Sequence, residues 1–158
     1  MPRRDVIRMT DEELATFLLE ERTVICATTS AARRPHLMPL WYVPDAHELL
    51  SWTYAASQKA ANLRRDPRAT LQIEAGNSYE ELRGVMIEAD VELVADVART
   101  AEIGLRIALR YAPGELSPED APPELREFIA GQAPKRVAMR FIPTRVVSWD
   151  HRKLGGRY

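Results

Sequence analysis

The chain has 158 residues, with 22 Lys plus Arg against 23 Asp plus Glu, 46% hydrophobic residues and one cysteine. That length gives a single domain, residues 1–158, with enough chain to bury a core. The near-zero net charge and scattered basic residues exclude an obvious nucleic-acid or anionic membrane partner. Cys26 lies in the apolar run Val24-Ile25-Cys26-Ala27 and has no second cysteine to pair with, and no apolar run is long enough to span a bilayer. With no leader pattern after Met1-Pro2-Arg3-Arg4-Asp5, a reducing, cytoplasmic setting is expected.

Thr10-Asp11-Glu12-Glu13 reads as a capping box, and Leu14, Phe17 and Leu18 follow on one helical face. Strand-like runs then cover 23–29, 36–43, 49–53, 69–74 and 82–94. The short links 30–35 and 44–48 join antiparallel neighbours, because a parallel crossover needs a dozen or more residues. A meander or barrel follows. From Met86 onward apolar and acidic residues alternate, which puts Glu88, Asp90 and Glu92 on one wet face. Residues 96–111 turn helical, with Gly104 marking close packing. Pro113, Pro118, Pro122 and Pro123 punctuate a loop before a short helix that starts with proline in its first turn. Strand character returns over 136–143 and 145–149.

Catalytic motifs are sparse. His36, His47 and His151 lie in separate segments without ligand spacing, and one cysteine cannot complete a thiolate zinc site. No serine stands in a Gly-x-Ser-x-Gly elbow, and no Gly-x-Gly-x-x-Gly follows a strand. The segment Ser57-Gln58-Lys59-Ala60-Ala61-Asn62-Leu63-Arg64-Arg65-Asp66-Pro67 is different. Ser57 is placed to cap a short helix whose N-terminus offers free N–H groups and about half a positive charge to an anion. Lys59 adds a full charge there, in a chain with only three lysines. It is either a phosphate ligand or a solvated lysine on a connecting helix. If the protein is an enzyme, a cofactor carries its chemistry.

The order of these segments resembles a known superfamily. Arg34-Pro35-His36-Leu37-Met38-Pro39-Leu40-Trp41-Tyr42, then 57–68, then Arg83-Gly84-Val85, then Ser148-Trp149-Asp150-His151-Arg152-Lys153-Leu154, is similar to the pyridoxamine 5'-phosphate oxidase-like split-barrel flavoproteins. Within them it resembles the actinobacterial deazaflavin-dependent oxidoreductase B group.

The resemblance implies a mainly β fold, a six-stranded antiparallel split β-barrel with flanking helices. It also implies a homodimer with the cofactor in grooves between subunits. It places the tricyclic ring against Met38, Pro39, Leu40 and Trp41, and the phosphate against Ser57, Gln58 and Lys59, with Thr53 as a further hydroxyl donor. Asn62 either touches the cofactor or ties helix to loop. Tyr79 and Trp149 either cover the ring or pack an interface, and His151 and Arg152 either face the substrate or cofactor tail or form an exposed basic terminus. Trp41 and Tyr42 point to opposite faces of a continuous strand, so one lines the groove and the other the barrel. The implied cofactor is coenzyme F-420, whose glutamate tail calls for added positive charge that Arg64, Arg65 and Arg68 are placed to supply; FMN is the alternative. The implied activity is hydride transfer to an electron-poor small molecule. A split barrel that holds a flavin, deazaflavin or haem without turnover is a third reading.

Overall fold

The computed structural model describes residues 3–114 and 116–155. A one-turn helix α1 (Arg3–Val6) precedes α2 (Asp11–Glu20), where the capping box forms as expected: Glu13 N–H donates to Thr10 Oγ1 at 3.2 Å, and Thr10 N–H donates back to Glu13 Oε2 at 2.7 Å. Phe17 on α2 is fully buried and closes one end of the core.

The remaining chain builds one antiparallel sheet of seven strands, β1 (Val24–Thr29), β2 (Pro35–Leu40), β3 (Val43–Asp45), β4 (Glu48–Tyr54), β5 (Arg68–Ala75), β6 (Arg83–Val94) and β7 (Arg136–Asp150), in the order β2-β1-β5-β6-β7-β4-β3. The expected fold class holds, with seven strands in place of six. The apolar run 36–43 is not one strand. It breaks at Trp41–Tyr42, where the backbone binds side chains instead of a ladder: Tyr42 N–H donates to Tyr111 Oη at 3.0 Å, and Ser51 Oγ donates to the Trp41 carbonyl at 2.7 Å. Conversely, 136–143 and 145–149 fuse into β7. Ala89 pairs with Pro143 and Glu88 with Arg145, so Thr144 has no opposite residue, and this bulge absorbs the proline without ending the strand.

Alternation along the strands sorts residues to two faces. Val24, Cys26, Leu71, Ile73, Val85, Ile87, Met139 and Phe141 point inward and form the barrel core with Phe17 and Tyr42. On the outer face of β4 and β7, helix α4 (Val97–Tyr111) covers Leu50 and Ala138 with Ile103 and Ile107. Gly104 lets α4 close on Trp52; a Cβ there would lie 2.4 Å from the indole. Helix α5 (Pro123–Gln132) packs Ile129 against Leu105 and Leu109. The outer face across β2, β1, β5, β6 and β7 remains open. Its register rows are Pro39, Ile25, Gln72, Met86, Val147 and, beside them, Leu37, Ala27, Thr70, Glu88, Arg145.

Candidate functional site

The two end strands of the sheet, β2 and β3, are consecutive in the chain, so the sheet curls until its ends meet at Trp41–Tyr42. From that junction β2 and β4 diverge without pairing, leaving a wedge-shaped gap. Its apex is an open pocket of about 360 Å³ lined by Thr23, Pro39, Leu40, Trp41 and Trp52. Beyond the far end of β4, α3 (Gln58–Arg65) packs against β1, β4 and β6.

At the apex Trp41 is 57% exposed and stacks on Tyr111 with ring centroids 4.4 Å apart and planes 10° from parallel. Tyr42 faces the other way. It is fully buried and its hydroxyl donates to the carbonyls of Leu18 (2.8 Å) and Glu21 (2.9 Å), while burial pushes its pKa up to about 12. The two rings therefore do take opposite sides, Trp41 the outside and Tyr42 the barrel. Met38 and Pro39 are exposed on β2, and Leu40 is half-buried.

Ser57 caps α3: its Oγ accepts from Ala60 N–H at 3.2 Å and from Thr53 Oγ1–H at 3.2 Å. The N–H groups of Gln58 and Lys59 have no acceptor among the described residues. Lys59 is 5% exposed, and its ammonium makes no hydrogen bond or ion pair among the described residues. Burial lowers its pKa, and the group it senses electrostatically is Cys26. That thiol cannot balance the charge, because burial raises the Cys26 pKa to about 11 and keeps it neutral. The stem of Lys59 is buried while its ammonium keeps a narrow opening to solvent and meets no counter-ion among the described residues, so an anion that reaches the tip finds an unpaired charge.

Asn62 is fully buried on the same side of α3 as Lys59, three residues on. Its Nδ2 donates to Thr28 Oγ1 at 3.0 Å and its Oδ1 accepts from Gln58 Nε2 at 2.8 Å, so it ties α3 to β1. Two of the arginines beyond it are engaged. Arg68 binds Asp66 through two nitrogens at 2.8 Å, and Arg65 donates to the Thr29 carbonyl and reaches Asn62; Arg64 is exposed.

Two polar groups that the sequence did not single out hold a buried atom without a partner among the described residues. His36, opposite Thr28 on β2, has a buried Nδ1 with no partner. Arg136, opposite Tyr54, is held between rings: its guanidinium carbon lies 4.4 Å from the Trp52 centroid and 4.2 Å from the Tyr54 centroid. Such contacts stabilise by about 0.5–2 kcal/mol. Yet its Nε is buried without an acceptor, a loss of about 1–3 kcal/mol. A strand alternation pattern cannot reveal this cage, because the rings come from β4.

Tyr79 and Trp149 are not brought to α3 within one chain. Trp149 lies across Gly84 at the start of β6, where a Cβ on Gly84 would sit 2.4 Å from the indole, while the far end of β6 meets the link after α3 through Val91 N–H to the Pro67 carbonyl, 2.7 Å. Tyr79 packs its ring 4.6 Å from His151, whose Nδ1–H donates to the Tyr79 carbonyl at 2.9 Å. Arg152 pairs with the buried Asp150 at 2.6 Å and holds its carboxyl below the usual range, so this terminus is tied to its own chain. Among the described residues no helix is long and apolar enough to cross a membrane, and no cluster of metal-binding side chains forms.

A family profile described as pyridoxamine 5'-phosphate oxidase matches residues 10–150. Among solved structures, the conserved hypothetical protein Rv2991 from Mycobacterium tuberculosis is 36% identical, with a TM-score of 0.86 over 98% of this chain and 93% of that one. An F420 reductase is 20% identical with a TM-score of 0.62 over 83% of this chain and 93% of that one. HutZ, the heme storage protein from Vibrio cholerae, is 16% identical with a TM-score of 0.66 over 87% of this chain and 94% of that one. The last two likenesses speak for the fold alone. A search of the curated proteins returned no match.

Proposed function

The chain belongs to the pyridoxamine 5'-phosphate oxidase family, and from that premise we propose that it is an oxidoreductase that holds the deazaflavin coenzyme F-420 in the wedge between β2 and β4. The observation that carries this reading is the unpaired ammonium of Lys59, at the tip of a buried stem on the first turn of α3, beside two N–H groups that also lack acceptors among the described residues. Together they offer a phosphate a full positive charge and two fixed donors. Thr53 and Ser57 flank it with hydroxyls. At the apex, Pro39, Leu40 and Trp41 give a flat, apolar support for a ring system.

When bound, the coenzyme supplies a hydride for an electron-poor small molecule. The side chains do the positioning. Tyr111 fixes Trp41 by stacking, and Gly104 with α4 fixes Trp52, so both walls of the apex are rigid before a ligand arrives. The lining of that pocket carries no carboxyl, imidazole or amine among the described residues. The open outer face of β2, β1, β5, β6 and β7 is the surface for a second copy. In that dimer Tyr79 and Trp149 reach the neighbour's coenzyme.

FMN is the second reading, favoured by the engagement of Arg65 and Arg68 with groups of their own chain, which competes with binding a longer anionic tail. Fluorescence titration of the purified protein with each cofactor separates the two. Micromolar or tighter binding of F-420 with weaker binding of FMN is expected, and the reverse order overturns the choice. Reduced coenzyme is then offered quinones, unsaturated lactones and tetrapyrroles. Oxidation by at least one is expected; none at all assigns the protein to ligand storage.

A further inference from the structure

Arg136 stands apart from the other half-buried arginines of the sheet. Arg83 pairs with Glu20 at 2.9 Å, and Arg140, on the same strand, pairs with Glu48 at 2.8 Å and Glu92 at 2.6 Å. No carboxylate or carbonyl meets any nitrogen of Arg136 among the described residues. It is fixed instead by Trp52 and Tyr54, which orient a guanidinium plane without neutralising it. Its surroundings place it one short turn from the α3 cap. Arg136 pairs with Tyr54, Ala55 N–H donates to the Lys135 carbonyl at 3.0 Å, and Ser57 N–H donates to the Tyr54 carbonyl at 2.9 Å.

We propose that Arg136, caged by Trp52 and Tyr54 beside the α3 turn, is a receptor for a second oxyanion, a carboxylate or phosphate that lies beyond the phosphate held at Lys59. The assignment rests on the cofactor reading only for the position of that first phosphate. A planar guanidinium takes a carboxylate or phosphate through two parallel hydrogen bonds, and a ring on each side keeps the fork from collapsing onto a neighbouring carbonyl. It offers a guanidinium already held in place, where Arg65 and Arg68 must first leave their own partners. The anion comes either from the glutamate tail of the coenzyme or from an acidic acceptor.

Four probes distinguish the sources in wild type and Arg136→Gln: F-420 with its glutamate tail, a deazaflavin lacking both phosphate and tail, FMN, and free tri-γ-glutamate followed by tryptophan fluorescence. For the tail as source, Arg136→Gln weakens tail-bearing F-420 about tenfold or more and leaves FMN and the tail-less deazaflavin within about twofold. An acidic acceptor as source shows as unchanged F-420 affinity with loss of tri-γ-glutamate binding. Equal affinity of wild type and variant for every anionic probe overturns the proposal. If no flavin or deazaflavin binds the wild type, the cofactor reading fails, and tri-γ-glutamate alone decides for or against Arg136. Should Arg136→Gln not fold, chemical modification of the wild type answers the same question: F-420 or tri-γ-glutamate protects Arg136 from phenylglyoxal, read by peptide mass, and absence of protection by both overturns it.

Discussion

Lysine carries its charge on a long, freely rotating stem, and a folded chain normally lets that charge reach water. Lys59 keeps only a narrow contact with water: it is 5% exposed, with only a neutral thiol for electrostatic company. Replacing it with alanine is expected to weaken phosphate-bearing cofactor by about 1.5–3 kcal/mol, the range for a charge-assisted bond, and to leave the apoprotein folded. Unchanged affinity removes Lys59 from the site. A second test needs no ligand. The folded-state pKa of Lys59 is lowered, so at neutral pH both states are protonated and the folded state bears the burial penalty. As pH rises through the folded pKa toward the ordinary value of 10.5, the buried amine loses its proton and the penalty fades. Wild type should therefore gain stability relative to Lys59→Met along that alkaline limb, measured as the difference in Tm. A flat difference means the amine is paired or solvated. Lys59 was legible in the sequence, because a lone lysine after a capping serine is unusual in an arginine-rich chain. Arg136 was not, since its meaning depends on two rings and on the carboxylates it does not meet.

At the scale of elements, the strands were readable wherever alternation or short apolar runs set them, and their antiparallel pairing followed from link length. Two boundaries were not readable. The run through Trp41 and Tyr42 stays apolar, and its break is imposed by Tyr111 on a helix far along the chain. Pro143 looks like a strand end, and only the bulge at Thr144 lets β7 continue. The same distant helix shapes the candidate site. Gly104→Ala would place a methyl carbon 2.4 Å from Trp52, so the indole must move away from the Arg136 stack and the wedge apex. A stability loss of about 1–3 kcal/mol, read by thermal unfolding, is expected together with altered tryptophan emission. Wild-type Tm and emission would show that α4 yields instead.

For the whole molecule, the open sheet face is too rich in apolar groups to be an ordinary wet surface. Leu37 is 56% exposed on it, beside Ala27 and Pro39. The protein is expected to sediment as a homodimer, and Leu37→Glu should shift it to monomer and weaken cofactor binding together. A monomeric wild type refutes this assembly. The dimer was implied only by resemblance at the level of sequence. The face that would serve it emerges from register, which sums five strands that no local pattern can align.

The position of β7 in the sheet has a consequence for synthesis. The last strand of the chain is an inner one, lying between β6 and β4, and its Arg140 bonds Glu48 across 92 residues. The hairpins β1–β2 and β3–β4 can form early and locally, but β4 and β6 each present an unpaired edge until β7 arrives. A ribosome must therefore release the chain through β7 before the barrel can close. Premature termination within β7 leaves two open sheet edges in one molecule, a species prone to aggregate and not a shortened version of the fold.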